Sequence, residues 1–109
     1  MGNLGERLRR TIQSIEDTTV CFYQNNEKEG YRRLGDTLQG LDEVIGEAEL
    51  IGRDGEVFIL DGDRVLEHLK EAVEALEQKD TLLLADILQY EITPLLEEGY
   101  ERYHSETGH

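Results

Sequence analysis

The most unusual chemical group in the sequence is the carboxylate of Glu91, which a helical pattern places among apolar side chains. At about 100° per residue, Glu91 falls between Ile87 and Leu88 on the apolar side of a helix. An unpaired carboxylate buried there would be costly or would bind a proton, so it could anchor a ligand or a metal inside a helical bundle. Alternatively, a bend at Pro94 turns it outward, or a Tyr, an Arg or a free backbone amide satisfies it. Glu91 is therefore the candidate buried polar position.

Metal-binding patterns are missing from the sequence. Di-iron bundles need Glu-x-x-His on two helices, and the spacing occurs here once, from Glu101 to His104. The turn at Gly62 resembles part of a calcium loop, but Val57 and Ile59 stand where such a loop needs acidic ligands. We expect no metal and no cofactor.

Nucleophilic catalysis also lacks its components. Ser14 and Ser105 are the only serines, and neither lies in a Gly-x-Ser-x-Gly motif. Cys21 has no adjacent group that would activate its thiol, which favours a structural role. No glycine-rich phosphate-binding motif is present. We therefore predict no catalytic residues and a protein that is not an enzyme.

Tyrosine is the side chain that most favours binding of another protein. Five of the seven aromatic residues are tyrosines, and Tyr90, Tyr100 and Tyr103 cluster towards the end of the chain. Tyrosine is enriched at interfaces because it combines apolar area with a polar tip. These three residues form a candidate partner surface, although each could instead lie at the rim of the core.

Charge limits the classes of partner. The chain has 25 acidic and 11 basic residues, a formal net charge of −14, and the excess is greatest in the second half. Such a charge repels nucleic-acid backbones and anionic membranes, so we expect neither as a partner. A protein partner or self-association, including a homodimer, remains. No apolar stretch is long enough for a spanning helix and the first residues lack the core of a signal peptide, which predicts a cytoplasmic protein.

The elements that must position these groups are all helices. Apolar residues recur at helical spacing from Asn3 to about Tyr23 and, after Asn25 and Asn26, to about Ala48. In the second helix they form a seam in steps of three and four, interrupted by glycines: Tyr31, Leu34, Leu38, Leu41, Ile45 and Ala48. We read residues 51–62 as an ordered loop whose apolar run, 57–60, covers one end of the bundle.

The third and fourth helices complete the pattern. The third begins after Asp61 or Asp63 and ends near Gln78. Glutamates line one side of it, and the opposite side carries an apolar stripe of Leu66, Leu69, Val73 and Leu76, widened by Val65 and Ala72. The fourth begins after Asp80 and contains a proline, so we expect it to be kinked or broken near Thr93 and Pro94. The prediction is an antiparallel up-down four-helix bundle. It would form one domain over residues 1–104, with a flexible tail at 105–109.

The segment from Leu83 to Glu97, LLADILQYEITPLLE, resembles the C-terminal helix of small bacterial helical proteins without an assigned function. In size, acidity and helix count the chain is also similar to flagellar export chaperones, small bundles that hold a partner's amphipathic segment. Apolar residues beyond the four stripes, such as Val20, Val44 and Ile51, add to the case for binding. We therefore predict an acidic, non-enzymatic interaction module, adaptor or chaperone-like. The alternative is a small-molecule or metal sensor built around buried Glu91.

Overall fold

The computed structural model describes residues 3–55 and 59–106 and confirms the all-α prediction. Its elements are α1 (Leu4–Tyr23), α2 (Glu27–Gly55), α3 (Gly62–Glu77), α4 (Thr81–Asp86), a π-helical segment (Ile87–Ile92) and α5 (Thr93–Glu106). The last three follow one another without a gap and are called together the last helix. The result is a four-helix bundle of 42 × 22 × 20 Å. Helix α1 packs against α2 and the last helix, α3 packs against the last helix, and α2 meets α3 only sparsely.

Capping residues define where three helices begin. The side-chain Oδ1 atoms of Asn3, Asp61 and Asp80 each accept a hydrogen bond from the backbone N–H three residues later, at 3.1, 3.2 and 3.1 Å. These caps satisfy backbone donors that have no partner inside the helix. At the ends of α1 and α3, Asn25 and Lys79 adopt positive φ angles of 61° and 59°. The two helical hairpins are thus set by local sequence signals.

Two glycines in α2 allow a close approach to α1. A Cβ on Gly30 would lie 2.6 Å from a ring carbon of Phe22, and one on Gly40 would lie 3.0 Å from Thr11 Oγ1. The first distance is too short for an added methyl group, and the second would require Thr11 to shift by a few tenths of an ångström. Since the Phe22 side chain is fully buried, the missing Cβ of Gly30 is what makes room for its ring.

Buried hydroxyl groups join α1 and α2 in the same interface. Thr37 Oγ1 lies 2.7 Å from Ser14 Oγ and 2.9 Å from Thr18 Oγ1, and Thr18 Oγ1 also donates to the Ser14 carbonyl oxygen at 2.8 Å. Thr18 and Thr37 are fully buried. Their hydrogen bonds therefore meet the requirement that a buried polar group have a partner.

Part of the predicted loop covers the bundle as expected. Ile59 and Leu60 are buried, and the Ile59 carbonyl oxygen accepts a hydrogen bond from Arg102 Nη1 at 3.4 Å. A Cβ on Gly99 would lie 3.2 Å from Leu60 Cδ1, so this segment packs directly on α5. Residues 57–58 of the apolar run lie outside the described residues.

Two boundaries differ from the sequence prediction. Helix α2 continues to Gly55 instead of ending near Ala48, so the first residues of the expected loop are helical. Helix α5 includes Ser105 and Glu106, and residues 107–109 of the predicted tail lie outside the described part of the chain.

Candidate protein-interaction surface

The expected irregularity of the last helix is a π-helical turn placed directly before the proline. Both the backbone N–H and the Oγ1 hydroxyl of Thr93 donate to the carbonyl oxygen of Leu88, five residues earlier, the hydroxyl at 2.9 Å. Pro94 has no N–H to donate and its ring crowds the preceding turn, which a wider turn accommodates. The backbone stays helical at Ile87 and Thr93, so the chain does not restart there.

Of the two outcomes left open for Glu91, the structure shows the outward one, because the side chain is 53% exposed. The π-helical turn is the physical reason. In a π-helical turn the backbone hydrogen bond joins residues five apart instead of four, so the turn contains one residue more than an α turn. A helical wheel drawn at 100° per residue therefore misplaces the residues that follow. Ile92 follows Ile87 and Leu88 on the buried side, and Glu91 is displaced towards solvent.

Glu91 instead lines an open cleft between α3 and the last helix. His68 lies between two carboxylates, with Nδ1 2.8 Å from Glu71 Oε1 and Nε2 3.6 Å from Glu91 Oε2. Apolar side chains such as Leu83 and Ile87 also line this cleft of about 450 Å³. In residues 3–55 and 59–106, no three His, Cys, Asp or Glu side chains are arranged to hold a metal ion.

The structure does not bring the three candidate tyrosines together. Tyr90 is 67% exposed on the π-helical segment, whereas Tyr100 and Tyr103 are partly buried against the core. The Tyr103 ring covers Gly5, with a ring carbon 3.2 Å from that residue's Cβ position. At 1.5 Å per residue, Tyr90 and Tyr103 are about 20 Å apart along the helix. They therefore form no single binding patch.

The prediction for the buried face of α3 is also wrong in part. The fully buried side chains are Val65, Ala72 and Ala75, whereas Leu66 is 52% and Val73 44% exposed. Leu69 and Leu76 are only partly buried. Ala72 and Ala75 face the last helix, because small side chains allow the two helices to pack closely together. The stripe Leu66, Leu69, Val73 and Leu76, called here the α3 stripe, is left incompletely covered.

The exposed part of the α3 stripe points away from the last helix. His68 and Ala75 line the cleft between α3 and the last helix. Leu66 lies two residues before His68, and Val73 lies two residues before Ala75. Residues two apart lie on nearly opposite sides of a helix. The neighbour on the exposed side is α2, where Ile45 Cγ2 lies 3.4 Å from the Cβ position of Gly62.

Helix α2 contributes further apolar area beside α3. Its seam is buried at Leu34, Leu41 and Ala48, but Leu38 and Ile45 are only partly buried. The two residues are seven apart, which places them on one side of α2. The sparsely packed side of the bundle is thus apolar along both helices.

Acidic residues border this apolar area. Three of the five acidic residues of α2 between positions 34 and 52 face α1, where Arg7 lies 3.7 Å from Glu43 and 3.5 Å from Glu47, and the other two lie on this side. Asp42 and Glu49 stand one turn beyond Leu38 and Ile45 on α2, and all four positions fall on one side of that helix. A partner at this surface would meet a negative rim.

The other apolar residues noted in the sequence have mixed positions. Val44 is fully buried in the core, Ile51 is partly buried, and Val20 is 42% exposed on α1. Most of the apparent apolar surplus therefore belongs to the core.

Comparison with known proteins places the chain in a family. None of the described helices is long and apolar enough to cross a membrane. No curated protein and no solved structure matches the chain. A family model described as a domain of unknown function, DUF8042, matches residues 1–101, and the chain therefore belongs to the DUF8042 family.

Proposed function

We propose that this chain is a non-enzymatic interaction module that binds another protein through the α3 stripe. The observation that carries the proposal is the exposure of Leu66 and Val73 within a stripe at helical spacing. Contiguous apolar surface of this kind marks interaction sites in soluble proteins. Burying such a side chain completely is worth about 1.5–3 kcal/mol, so covering the stripe supplies a driving force for association.

The charge of the chain favours a different protein over a second copy as the partner. Each copy has a formal net charge of −14, and a homodimer through the α3 stripe would bring two acidic rims together. A partner with a basic surface gains attraction at the same place. We therefore assign the stripe to a basic protein partner, and self-association becomes an outcome that the experiment must exclude.

The proposal includes the adaptor or chaperone-like role and the bacterial, cytoplasmic setting expected from the sequence. A module that covers an apolar segment of its partner acts as a chaperone does towards that segment. The alternative, a sensor with a buried carboxylate, loses its premise because the Glu91 side chain is 53% exposed.

Site-specific crosslinking tests the proposal. Val73 is replaced with the photo-crosslinking amino acid p-benzoylphenylalanine, and the chain is irradiated in its native cells. We expect one dominant adduct with another protein. The same replacement at Leu82, which is 54% exposed on α4, is the matched control and should not give that adduct.

The adduct supports the proposal only when the purified partner behaves accordingly. It should form a stoichiometric complex with the wild-type chain and fail to bind the double variant Leu66→Gln, Val73→Gln. Because both side chains are already exposed, this variant should fold. An adduct of about 25 kDa, twice the mass of one chain, would identify self-association and overturn the proposal. Absence of any adduct would overturn it as well.

A further inference from the structure

We infer that the partner contributes an amphipathic α-helix of about three turns, basic along its edges, which lies along α3 on the side facing α2. This inference rests on the proposed function and specifies the chemistry of the segment that is bound.

The spacing of the α3 stripe sets the shape and length of the occupant. Its members follow one another in steps of three, four and three residues, the pattern of a seam between two helices. From Leu66 to Leu76 the stripe extends about 15 Å at 1.5 Å per residue. A partner helix needs about three turns to cover it, with apolar residues at matching intervals.

The backbone of this surface excludes binding by strand addition. An extended peptide adds to an unpaired strand edge, where backbone donors and acceptors are free. Helices α2 and α3 use these groups in their own hydrogen bonds, so side chains are what this surface offers. A helix matches such a surface because it also satisfies its own backbone.

The rim residues specify the charge of the partner. On α3, Lys70 and Glu77 each stand one turn beyond an exposed member of the stripe, Leu66 and Val73 respectively. Both charged side chains are exposed. With the acidic edge of α2 on the other side, Lys70 is the one basic group close to the stripe in the described part of the chain. Basic residues on the bound helix would therefore meet Glu77 on one side and the carboxylates of Asp42 and Glu49 on the other.

Binding of three designed peptides tests the inference. Each peptide has about 14 residues and a fluorescent label. The first has leucines at stripe spacing with lysines on both edges, the second has the same leucines with glutamates, and the third keeps the lysines and replaces the leucines with serines. We expect the leucine–lysine peptide to bind at least about tenfold more tightly than the other two, because it satisfies both the apolar and the charge requirement. Its affinity should fall between 50 and 300 mM NaCl, since exposed charges are screened.

Two charge reversals with opposite expected signs locate the binding site. Glu77→Lys should weaken binding of the leucine–lysine peptide by about threefold or more, and Lys70→Glu should strengthen it by a similar factor. Glu101→Lys changes the net charge as Glu77→Lys does, but on α5, and should have a smaller effect. Leu66→Gln together with Val73→Gln should abolish binding, and Leu82→Gln should not.

Each contrary result has a distinct meaning. Equal binding of the lysine and glutamate peptides, or equal effects of Glu77→Lys and Glu101→Lys, would overturn the inferred charge. Absence of binding by the leucine–lysine peptide, or binding that survives the double α3 variant, would overturn the helical occupant. The crosslinking experiment at Val73 decides the proposed function separately, because it does not depend on the chemistry of the peptides.

Discussion

Tyr23 connects the ends of two helices through a hydrogen bond between side chains. Its hydroxyl donates to Asp86, which joins the last turn of α1 to the end of α4. Desolvation raises the pKa of Tyr23 above the usual value of 10.0, and the hydrogen bond and the negative charge of Asp86 raise it further, with a smaller contribution from Tyr90. The folded protein therefore favours the neutral phenol.

This pKa shift predicts a dependence of stability on alkaline pH. A group with a raised pKa in the folded state contributes stability that is complete below its unfolded pKa and is lost as the pH rises above it. Tyr23→Phe should lower the free energy of unfolding by about 0.5–1.5 kcal/mol at pH 8, the usual value of one hydrogen bond. This difference from the wild type should shrink as the pH rises above 10.

Urea unfolding at pH 8 and pH 11 measures the effect. Tyr90→Phe is the control, because Tyr90 is 67% exposed, and its difference from the wild type should change less between the two pH values. A difference for Tyr23→Phe that stays constant over this range would contradict the assigned role of the hydroxyl.

Individual residues were predictable where their role depends on near neighbours. Asp80 was expected to cap a helix and does so, because a cap needs only the backbone three residues ahead. For Glu91 two outcomes stayed open, because its direction depends on a π-helical turn, which a wheel of constant angle cannot represent. The signal was present in Pro94, whose effect on the preceding turn was expected as a kink or a break.

At the scale of the element, the glycines of α2 fall into two physical classes. Gly30 and Gly40 leave room for side chains of α1, whereas a Cβ at Gly35 or Gly46 would have no atom within 4 Å. Glycine in a helix interior costs up to about 1 kcal/mol relative to alanine. At Gly30 and Gly40, close packing against α1 offsets this cost. At Gly35 and Gly46, no contact within the described part of the chain offsets it.

Alanine substitutions should therefore have opposite effects along one helix. Gly35→Ala and Gly46→Ala should each raise the free energy of unfolding by up to about 1 kcal/mol. Gly30→Ala should lower it by about 1–3 kcal/mol, because the new methyl group overlaps the Phe22 ring. Chemical denaturation monitored by circular dichroism gives all three values. Stabilisation by Gly30→Ala would show that the interface with α1 is looser than the structure indicates.

The number and order of helices could be predicted from the sequence, because periodicity reports which positions are apolar. The exact rotation of α3 could not, since its apolar face is wider than the surface that it buries. Ala72 and Ala75 lie towards one edge of this face and Leu66 and Val73 towards the other, and closeness to the last helix decides which edge is buried. The two alanines were the available signal, because small residues favour the closest approach.

At the scale of the whole molecule, the net charge of −14 opposes folding through repulsion among carboxylates. Salt screens this repulsion, with a Debye length of about 10 Å at 0.1 M. We expect the melting temperature to rise by a few degrees between 20 and 200 mM NaCl at pH 7. Differential scanning calorimetry measures it, and equal concentrations of KCl serve as a control for specific ion effects. A lower melting temperature at 200 mM would mean that attractive ion pairs outweigh the repulsion.

The antiparallel bundle itself followed from the short connections and the four stripes, and the structure confirms it. The interaction surface did not follow, because exposure at the α3 stripe results from how all four helices pack. Sequence periodicity reports that a face is apolar, but the packing of the described helices is needed to show that Leu66 and Val73 stay exposed.

The π-helical segment also determines where the chain can change length. Since the turn before Thr93 contains one residue more than an α turn, deleting a single residue between Ile87 and Ile92 would restore regular spacing and leave α5 in its present rotation. The same deletion elsewhere in the last helix would rotate α5 by about 100° and carry Tyr103 off Gly5. Natural length variation within the last helix should therefore concentrate in these six residues.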